Sequence, residues 1–321
     1  MDTRPRPTVV VLHGADRPPG LGRVEAVATV RYATADRLGG ALDGADVLFV
    51  WDTRTTALER VWPATDALRW VHVASPAVGH LLFPALRDSD IALTNSTGVY
   101  DEPVAEYVLG LVLAFAKHLP TTLRDQQRRR WQHRETERVA GSRALVVGTG
   151  PIARAIGRKL GAVGVTVNAI GPTARTGDPD LGDVQPMSRL RAAVAEHDWI
   201  ILAVAHNQQT AGMVDAELLR VVRPTARLIN ISRAGLVVTT DLVDALDSRQ
   251  LAGAAFDVFA DEPLAPSSPL WGMPNVVISP HLTGDVAGRR EELVRRFAEN
   301  LTAYLAGRPL ANLVDKARAG R

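Results

Sequence analysis

Residues 144–157 read ALVVGTGPIARAIG, and the fold is decided there. Four apolar residues end a buried strand, Gly148 and Gly150 make a tight turn, and a helix starts at Pro151. Such a turn brings backbone N–H groups close to a pyrophosphate, and the helix N-terminus adds partial positive charge. Gly148, Thr149, Gly150, Pro151 and Ile152 are therefore the candidate phosphate-binding residues. Ala153 stands third in the pattern, where glycine is usual, and is still small enough for close packing of helix on strand.

Working outward, strand-like cores recur at 144–147, 165–170, 199–204, 228–231, 254–256 and 276–278, separated by helix-length segments. Six strands in that rhythm fit two βαβαβ halves, a Rossmann dinucleotide-binding domain. The first hundred residues alternate in the same way, with strands expected at 8–13, 28–32, 46–51, 70–73 and 91–94. Hence the fold class is α/β, with two doubly wound domains, the first flavodoxin-like. Between the two series, Asp101, Glu102 and Pro103 open a long amphipathic helix with Val104, Tyr107, Val108, Leu111, Val112 and Phe115 at helical spacing. The polar, arginine-rich segment 121–142 lacks apolar periodicity and reads as a surface connection. Leu293, Phe297, Leu301 and Leu305 recur every fourth residue and mark a C-terminal helix.

Composition narrows the function. A chain of 321 residues exceeds what one hydrophobic core usually holds. Hydrophobic residues at 46% and charged residues at 22% argue against extended disorder. No apolar run approaches the ~20 residues of a membrane-crossing helix, and the N-terminal MDTRPRPTVVVLHG passes directly into a strand, so the expectation is a cytoplasmic protein without membrane partners. The absence of cysteine excludes disulfides, a thiolate nucleophile and thiolate-bound zinc, and no metal site is expected. Net charge is +2, lysine occurs only at 117, 159 and 316, and the arginines are dispersed among acids, which argues against a nucleic-acid face. The one cluster, Arg128-Arg129-Arg130-Trp131, reads as a solvated helix end or a subunit contact ahead of a nucleic-acid site.

About 20 residues beyond the glycine turn, a cofactor without a 2′-phosphate normally meets an Asp or Glu that accepts bonds from its ribose hydroxyls. Here the strand ends Asn168-Ala169-Ile170-Gly171-Pro172-Thr173-Ala174-Arg175, with no acid. The Thr173 hydroxyl and the Arg175 guanidinium can hold a 2′-phosphate that no carboxylate repels. NADP(H) is therefore expected in preference to NAD(H).

Four blocks in order resemble the D-isomer-specific 2-hydroxyacid dehydrogenase family, which includes phosphoglycerate, glyoxylate and hydroxypyruvate reducing enzymes. They are VVGTGPIARAIG (146–157), INISRAGLVVTTDLVDAL (229–246), GAAFDVFADEPL (253–264) and ISPHLTG (278–284). The resemblance implies hydride transfer between a nicotinamide and a small 2-oxo or 2-hydroxy acid, with Arg233 as substrate anchor, Glu262 as partner carboxylate and His281 as acid/base. Those roles make chemical sense. A planar guanidinium donates to a carboxylate and a ketone oxygen together, and an imidazolium gives the ketone oxygen its proton while a neighbouring carboxylate favours and orients it. The resemblance also implies that Asp257 meets the nicotinamide carboxamide, that Ala205 and Gly284 line the cofactor cleft, and that Ser75, Pro76, Ala77, Val78 and Tyr100 contact substrate.

Departures from the family pattern are local. Ser75-Pro76 replaces a glycine-rich loop followed by Asp, Ala234 replaces glycine, and Ala205-His206-Asn207-Gln208 replaces a Pro-Leu-Thr-Pro run. The implied division is a discontinuous substrate domain, 1–100 plus 288–321, and an NAD(P)-binding domain, 101–287, hinged near Tyr100 and Gly288. A homodimer through the cofactor domain is also implied, using the helix from Asp101 and the segment bearing Trp131. Two rivals share the scaffold, a cofactor-responsive corepressor and a formate dehydrogenase-like enzyme. Retention of Arg233, Glu262 and His281 speaks against the first, and Glu262 in place of an amide against the second.

Overall fold

A computed structural model of the protein describes residues 6–317. Packing divides the chain into two units, one formed by residues up to Val99 together with those from Val286 onward, the other by Tyr100–Asp285.

In the first unit, β1 (Thr8–Leu12), β2 (Thr29–Ala33), β3 (Val47–Val50), β4 (Trp70–Val73) and β5 (Ala92–Thr94) form a parallel sheet in the order β2-β1-β3-β4-β5, the flavodoxin-like order. Every residue of β3 and β4 is buried, as strands covered on both faces must be. The core is closed from the far end of the chain. The helix Arg289–Leu305 buries Leu293, Val294, Phe297 and Leu301, and the Phe297 ring stacks on Phe49 with centroids 4.2 Å apart and on Trp70 at 5.3 Å. Beyond it, Val314 N–H donates to the Leu93 carbonyl, and the Lys316 ammonium donates to the carbonyls of Leu86, Ser89 and Ile91.

In the second unit the strands are β6 (Arg143–Val147), β7 (Thr166–Ile170), β8 (Arg175–Asp178), β9 (Gly182–Gln185), β10 (Trp199–Leu202), β11 (Arg227–Asn230), β12 (Gly253–Phe256) and β13 (Val276–Ile278). Their order is β13-β12-β11-β10-β6-β7-β9-β8, and all pair in parallel except β8 with β9. Strand order reverses between β6 and β10, the switch point at which open α/β sheets bind ligands outside the carboxyl ends of their strands. The helices Asp101–Ala116 and Pro151–Ala162 share one core behind β6, through Ala105, Val108, Val112, Ala153, Ile156 and Leu160. Lys159 and Arg158 pair with Glu102 at their rim. No helix among the described residues is long and apolar enough to cross a membrane.

Two readings of the sequence are corrected here. The six expected strands lack the β8–β9 hairpin, because RTGD and GDVQ carry almost no apolar residues. What holds the hairpin is polar: the Asp178 carboxylate, 4% exposed, accepts from both Arg154 and Arg175. Its turn also sits directly on the phosphate-loop helix, where a Cβ at Gly157 would stand 2.1 Å from the Asp180 carbonyl oxygen. The segment 121–142 is also not wholly a loop, since Leu119–Gln127 is helical. His118, in the left-handed region at φ 51°, breaks the preceding helix, and Pro120 begins the next. That helix buries no side chain and so leaves no apolar stripe in the sequence.

Candidate active site

Because β6 and β10–β13 run parallel, their carboxyl ends lie on one side of the sheet, and most of the candidate residues follow those ends. Gly148–Ile152 follow β6, Ala205 follows β10, Arg233 follows β11, Asp257 and Glu262 follow β12, and His281 and Gly284 follow β13.

The glycine turn fits a dinucleotide phosphate. Gly148 has φ 130°, and a Cβ there would lie 2.1 Å from the Ala203 carbonyl oxygen, so no other residue can pass so close to the end of β10. Gly150 caps the helix Pro151–Ala162, and the space its side chain would take is open to 4 Å, beside the N–H groups of the first helical turn. Thr149 turns its side chain toward Gly171, just past the end of β7, where a Cβ would stand 2.4 Å from the Thr149 methyl group. A side chain at Gly171 would therefore have to displace the Thr149 methyl group.

Arg175 is the first residue of β8, and its guanidinium is partly engaged: Nε donates to Asp178 at 2.7 Å and Nη1 to the Thr173 carbonyl at 3.2 Å. Asp178 in turn binds Arg154, which rises from the first turns of the phosphate-loop helix. Burial pushes the Asp178 carboxyl up, but the two guanidinium groups outweigh it and hold the group well below the usual carboxylate range.

The acid/base residues meet directly. His281 Nδ1 lies 2.9 Å from Glu262 Oε2, and Glu262 Oε1 accepts from the Phe259 N–H at 3.1 Å. Both side chains are partly exposed, and His281 Nε2 has no hydrogen-bond partner among the described residues. Burial raises the Glu262 carboxyl, yet the bonds from His281 and Phe259, with the charges of His281 and Arg233, bring it below the usual range. Arg233 therefore stands within electrostatic reach of Glu262. It is exposed and extended, with φ −143° and ψ 142°, and its Nη1 donates to the Ser232 carbonyl at 2.7 Å. Its loop is shaped by the buried Asn230, whose Oδ1 accepts from Ser232 N–H at 3.1 Å while Nδ2 donates to the Arg233 carbonyl at 2.9 Å.

Sequence reading missed Asn230, although an Asn between a buried strand and Ser-Arg is a turn signal. It also missed Asp178 and Arg154, for which the local sequence offers no signal. Asp257 is 2% exposed, and both of its carboxylate oxygens accept hydrogen bonds from residues 279–283. Gly284 lies against the Tyr100 ring. Ala205 is exposed, and its carbonyl accepts from the Thr210 hydroxyl at 2.8 Å.

Ser75, Pro76, Ala77 and Val78 belong to the first unit, in the loop after β4. There Ser75 Oγ accepts from Ala77 N–H at 3.2 Å and the Asn95 amide donates to the Pro76 carbonyl at 2.9 Å. Among the described residues no group of three or more acidic or histidine side chains is arranged to hold a metal ion.

This geometry coincides with a known family. The sequence model described as "D-isomer specific 2-hydroxyacid dehydrogenase, NAD binding domain" matches residues 109–283, more than half the chain. The chain belongs to the D-isomer-specific 2-hydroxyacid dehydrogenase family. Membership places it among NAD(P)-dependent oxidoreductases of 2-hydroxy acids. A D-3-phosphoglycerate dehydrogenase of Synechocystis is 30% identical over 265 residues, 81% of this chain but 47% of that protein, so the chain spans about half the length of that relative. A glyoxylate reductase of Thermofilum pendens is 28% identical over 80% of this chain and 77% of its own. Among solved structures, a D-isomer specific 2-hydroxyacid dehydrogenase from Xanthobacter autotrophicus in complex with NADPH and MES is 27% identical. It superposes with a TM-score of 0.80 over 97% of this chain and 99% of its own. The two-sheet architecture is that of this family.

Proposed function

We propose that this dehydrogenase reduces a small 2-oxo acid to its D-2-hydroxy acid, with NADPH favoured over NADH and His281 as proton donor. The observation that carries the reading is the His281–Glu262 contact, 2.9 Å long, which directs Nδ1 to the carboxylate and leaves Nε2 for a substrate oxygen, while the charge of Arg233 acts on Glu262.

Bound in the cleft, a dihydronicotinamide supplies a hydride to C2 of the acid. Arg233 pairs with the substrate carboxylate and offsets the charge that develops on the ketone oxygen. His281 Nε2 transfers its proton to that oxygen, and Glu262 steadies the imidazolium beforehand and keeps the ring oriented. In oxidation the same nitrogen, neutral, accepts the hydroxyl proton. Gly148, Thr149, Gly150, Pro151 and Ile152 hold the pyrophosphate, and Ala205 and Gly284 stand at the same strand ends. The Ser75–Val78 loop and Tyr100 are assigned to substrate.

Support for NADPH comes from Gly171, which leaves no acid at the end of β7, and from the nearby Thr173 and Arg175, whose guanidinium keeps donors to spare beyond its bonds to Asp178 and the Thr173 carbonyl. The relative from Xanthobacter bound to NADPH agrees with it. The family's dimeric arrangement is proposed too. Leu113, Leu119 and Leu123 are 37%, 47% and 59% exposed and Trp131 is fully so, which leaves a run of apolar surface for a second copy to cover.

The test is a rate matrix of NADPH and NADH against glyoxylate, hydroxypyruvate, pyruvate, phosphohydroxypyruvate and phenylpyruvate, repeated with His281→Asn. One or more of these acids should be reduced, faster with NADPH, and the variant should lose about 100-fold or more in kcat while still binding cofactor. Equal or better rates with NADH would remove the cofactor assignment, and a fully active variant would remove the acid/base assignment.

A further inference from the structure

Beyond the helix Arg289–Leu305 the chain returns along β5, an edge strand of the first sheet, where Leu313 pairs antiparallel with Thr94 and the Val314 N–H donates to the Leu93 carbonyl at 2.8 Å. Two asparagines fix the point of return. Asn300, 2% exposed, accepts from the Ala311 N–H at 2.8 Å and donates to the Ala311 carbonyl at 3.0 Å. Asn312 has φ 56°, in the left-handed region that asparagine enters more readily than most residues. Its side-chain amide uses both hydrogens on the segment after β5, donating to the Thr97 carbonyl at 2.7 Å and to the Asn95 carbonyl at 3.3 Å. The Asn312 carbonyl in turn accepts from the Asn95 N–H at 3.2 Å.

Asn95 passes this hold onward. Its Oδ1 accepts from the Thr97 N–H at 3.1 Å, and its Nδ2 donates to the Pro76 carbonyl at 2.9 Å. Next to it, the Ser96 N–H donates to the Ser75 carbonyl at 3.1 Å and the Ser96 hydroxyl to the Val73 carbonyl at 2.9 Å. The loop after β4 is thus held by residues 95 and 96, and these are held by a residue 217 positions further along the chain than Asn95. We infer that Asn95 and Asn312 are positioning residues for substrate: in two stages they carry the returning C-terminal segment's hold to the Ser75–Val78 loop and set its backbone for the carboxylate of the 2-oxo acid. This rests on the assignment of that loop to substrate. A contact with a carboxylate that does not react is made in the ground state and the transition state alike, so its loss falls on KM and spares kcat.

Asn95→Asp keeps the acceptor for the Thr97 N–H but sets an oxygen against the Pro76 carbonyl. Asn312→Gly keeps the left-handed backbone and removes both side-chain bonds. In the full-length protein each should raise KM by about tenfold for the 2-oxo acid that the wild type reduces fastest, on the scale of one or two lost hydrogen bonds, with kcat within about threefold. The NADPH Kd, read by fluorescence titration without substrate, should stay within about twofold. Either variant carries the test alone if the other does not fold. Lys316→Ala separates positioning from plain loosening: it cuts the same segment's bonds to the Leu86, Ser89 and Ile91 carbonyls without touching residues 95–97. It should lower the Tm while KM stays within about twofold of wild type.

An unchanged KM in Asn95→Asp or Asn312→Gly would overturn the inference. A KM raised as much by Lys316→Ala would overturn it as well, reducing the two asparagines to general packing. Failure of the underlying assignment shows elsewhere, in Ala77→Glu, which puts a negative charge into the loop itself. A wild-type KM in that variant removes both the loop assignment and the positioning role, whereas a raised KM there beside unchanged values in Asn95→Asp and Asn312→Gly removes only the positioning role.

Discussion

Burial raises the Glu262 carboxyl, but the bonds from His281 and Phe259 and the charges of His281 and Arg233 outweigh it and hold the group below its usual range. A depressed carboxyl keeps its partner's charge pairing above its own titration and loses it only as the pH falls through the lowered value, so the His281 contact persists into pH below the usual carboxylate range. In Glu262→Gln the side chain still reaches Nδ1 but no longer carries a negative charge. Reduction should then slow by about tenfold at neutral pH, as read from kcat/KM of variant and wild type. An unchanged kcat/KM would show that the contact does not serve catalysis. At this scale the sequence announced much. Arg233, Glu262 and His281 are polar residues at strand ends, and two of them touch. What it could not announce was the grip of Asp257 on residues 279–283 or of Asn230 on the Arg233 loop, because such bonds depend on which loops lie side by side, not on local spacing.

The strands legible in the sequence were those whose apolar runs are buried on both faces, such as VLFV in β3 and WIIL in β10. The β8–β9 hairpin was illegible for the opposite reason, being fixed by a carboxylate between two guanidinium groups and by contact of its turn with a helix. Gly157, visible in the glycine pattern, was the one residue whose reason lay in that hairpin. Gly157→Ala must push the Asp180 carbonyl away and is expected to cost about 1–3 kcal/mol, a fall of several degrees in Tm on thermal unfolding. A melt indistinguishable from wild type would mean that the turn does not rest on the helix. The Leu119–Gln127 helix was hidden because it presents no buried face at all.

At the level of the whole molecule, the exposed Leu119, Leu123 and Trp131 have an expected consequence for assembly. Under the proposed dimeric arrangement the wild type should sediment at twice 34.5 kDa and Leu123→Glu combined with Trp131→Ala at 34.5 kDa; a wild type that sediments as a single chain would remove the proposal, and a variant that still sediments as a pair would place the contact elsewhere. The Phe297 ring, stacked on Phe49 and on Trp70, bears on how the chain is made. A ribosome releases the first ninety-nine residues early, yet their core lacks its filling until the helix Arg289–Leu305 emerges, after the whole dinucleotide-binding unit. The order of completion is thus inverted: the middle of the polypeptide can fold while its beginning waits for its end.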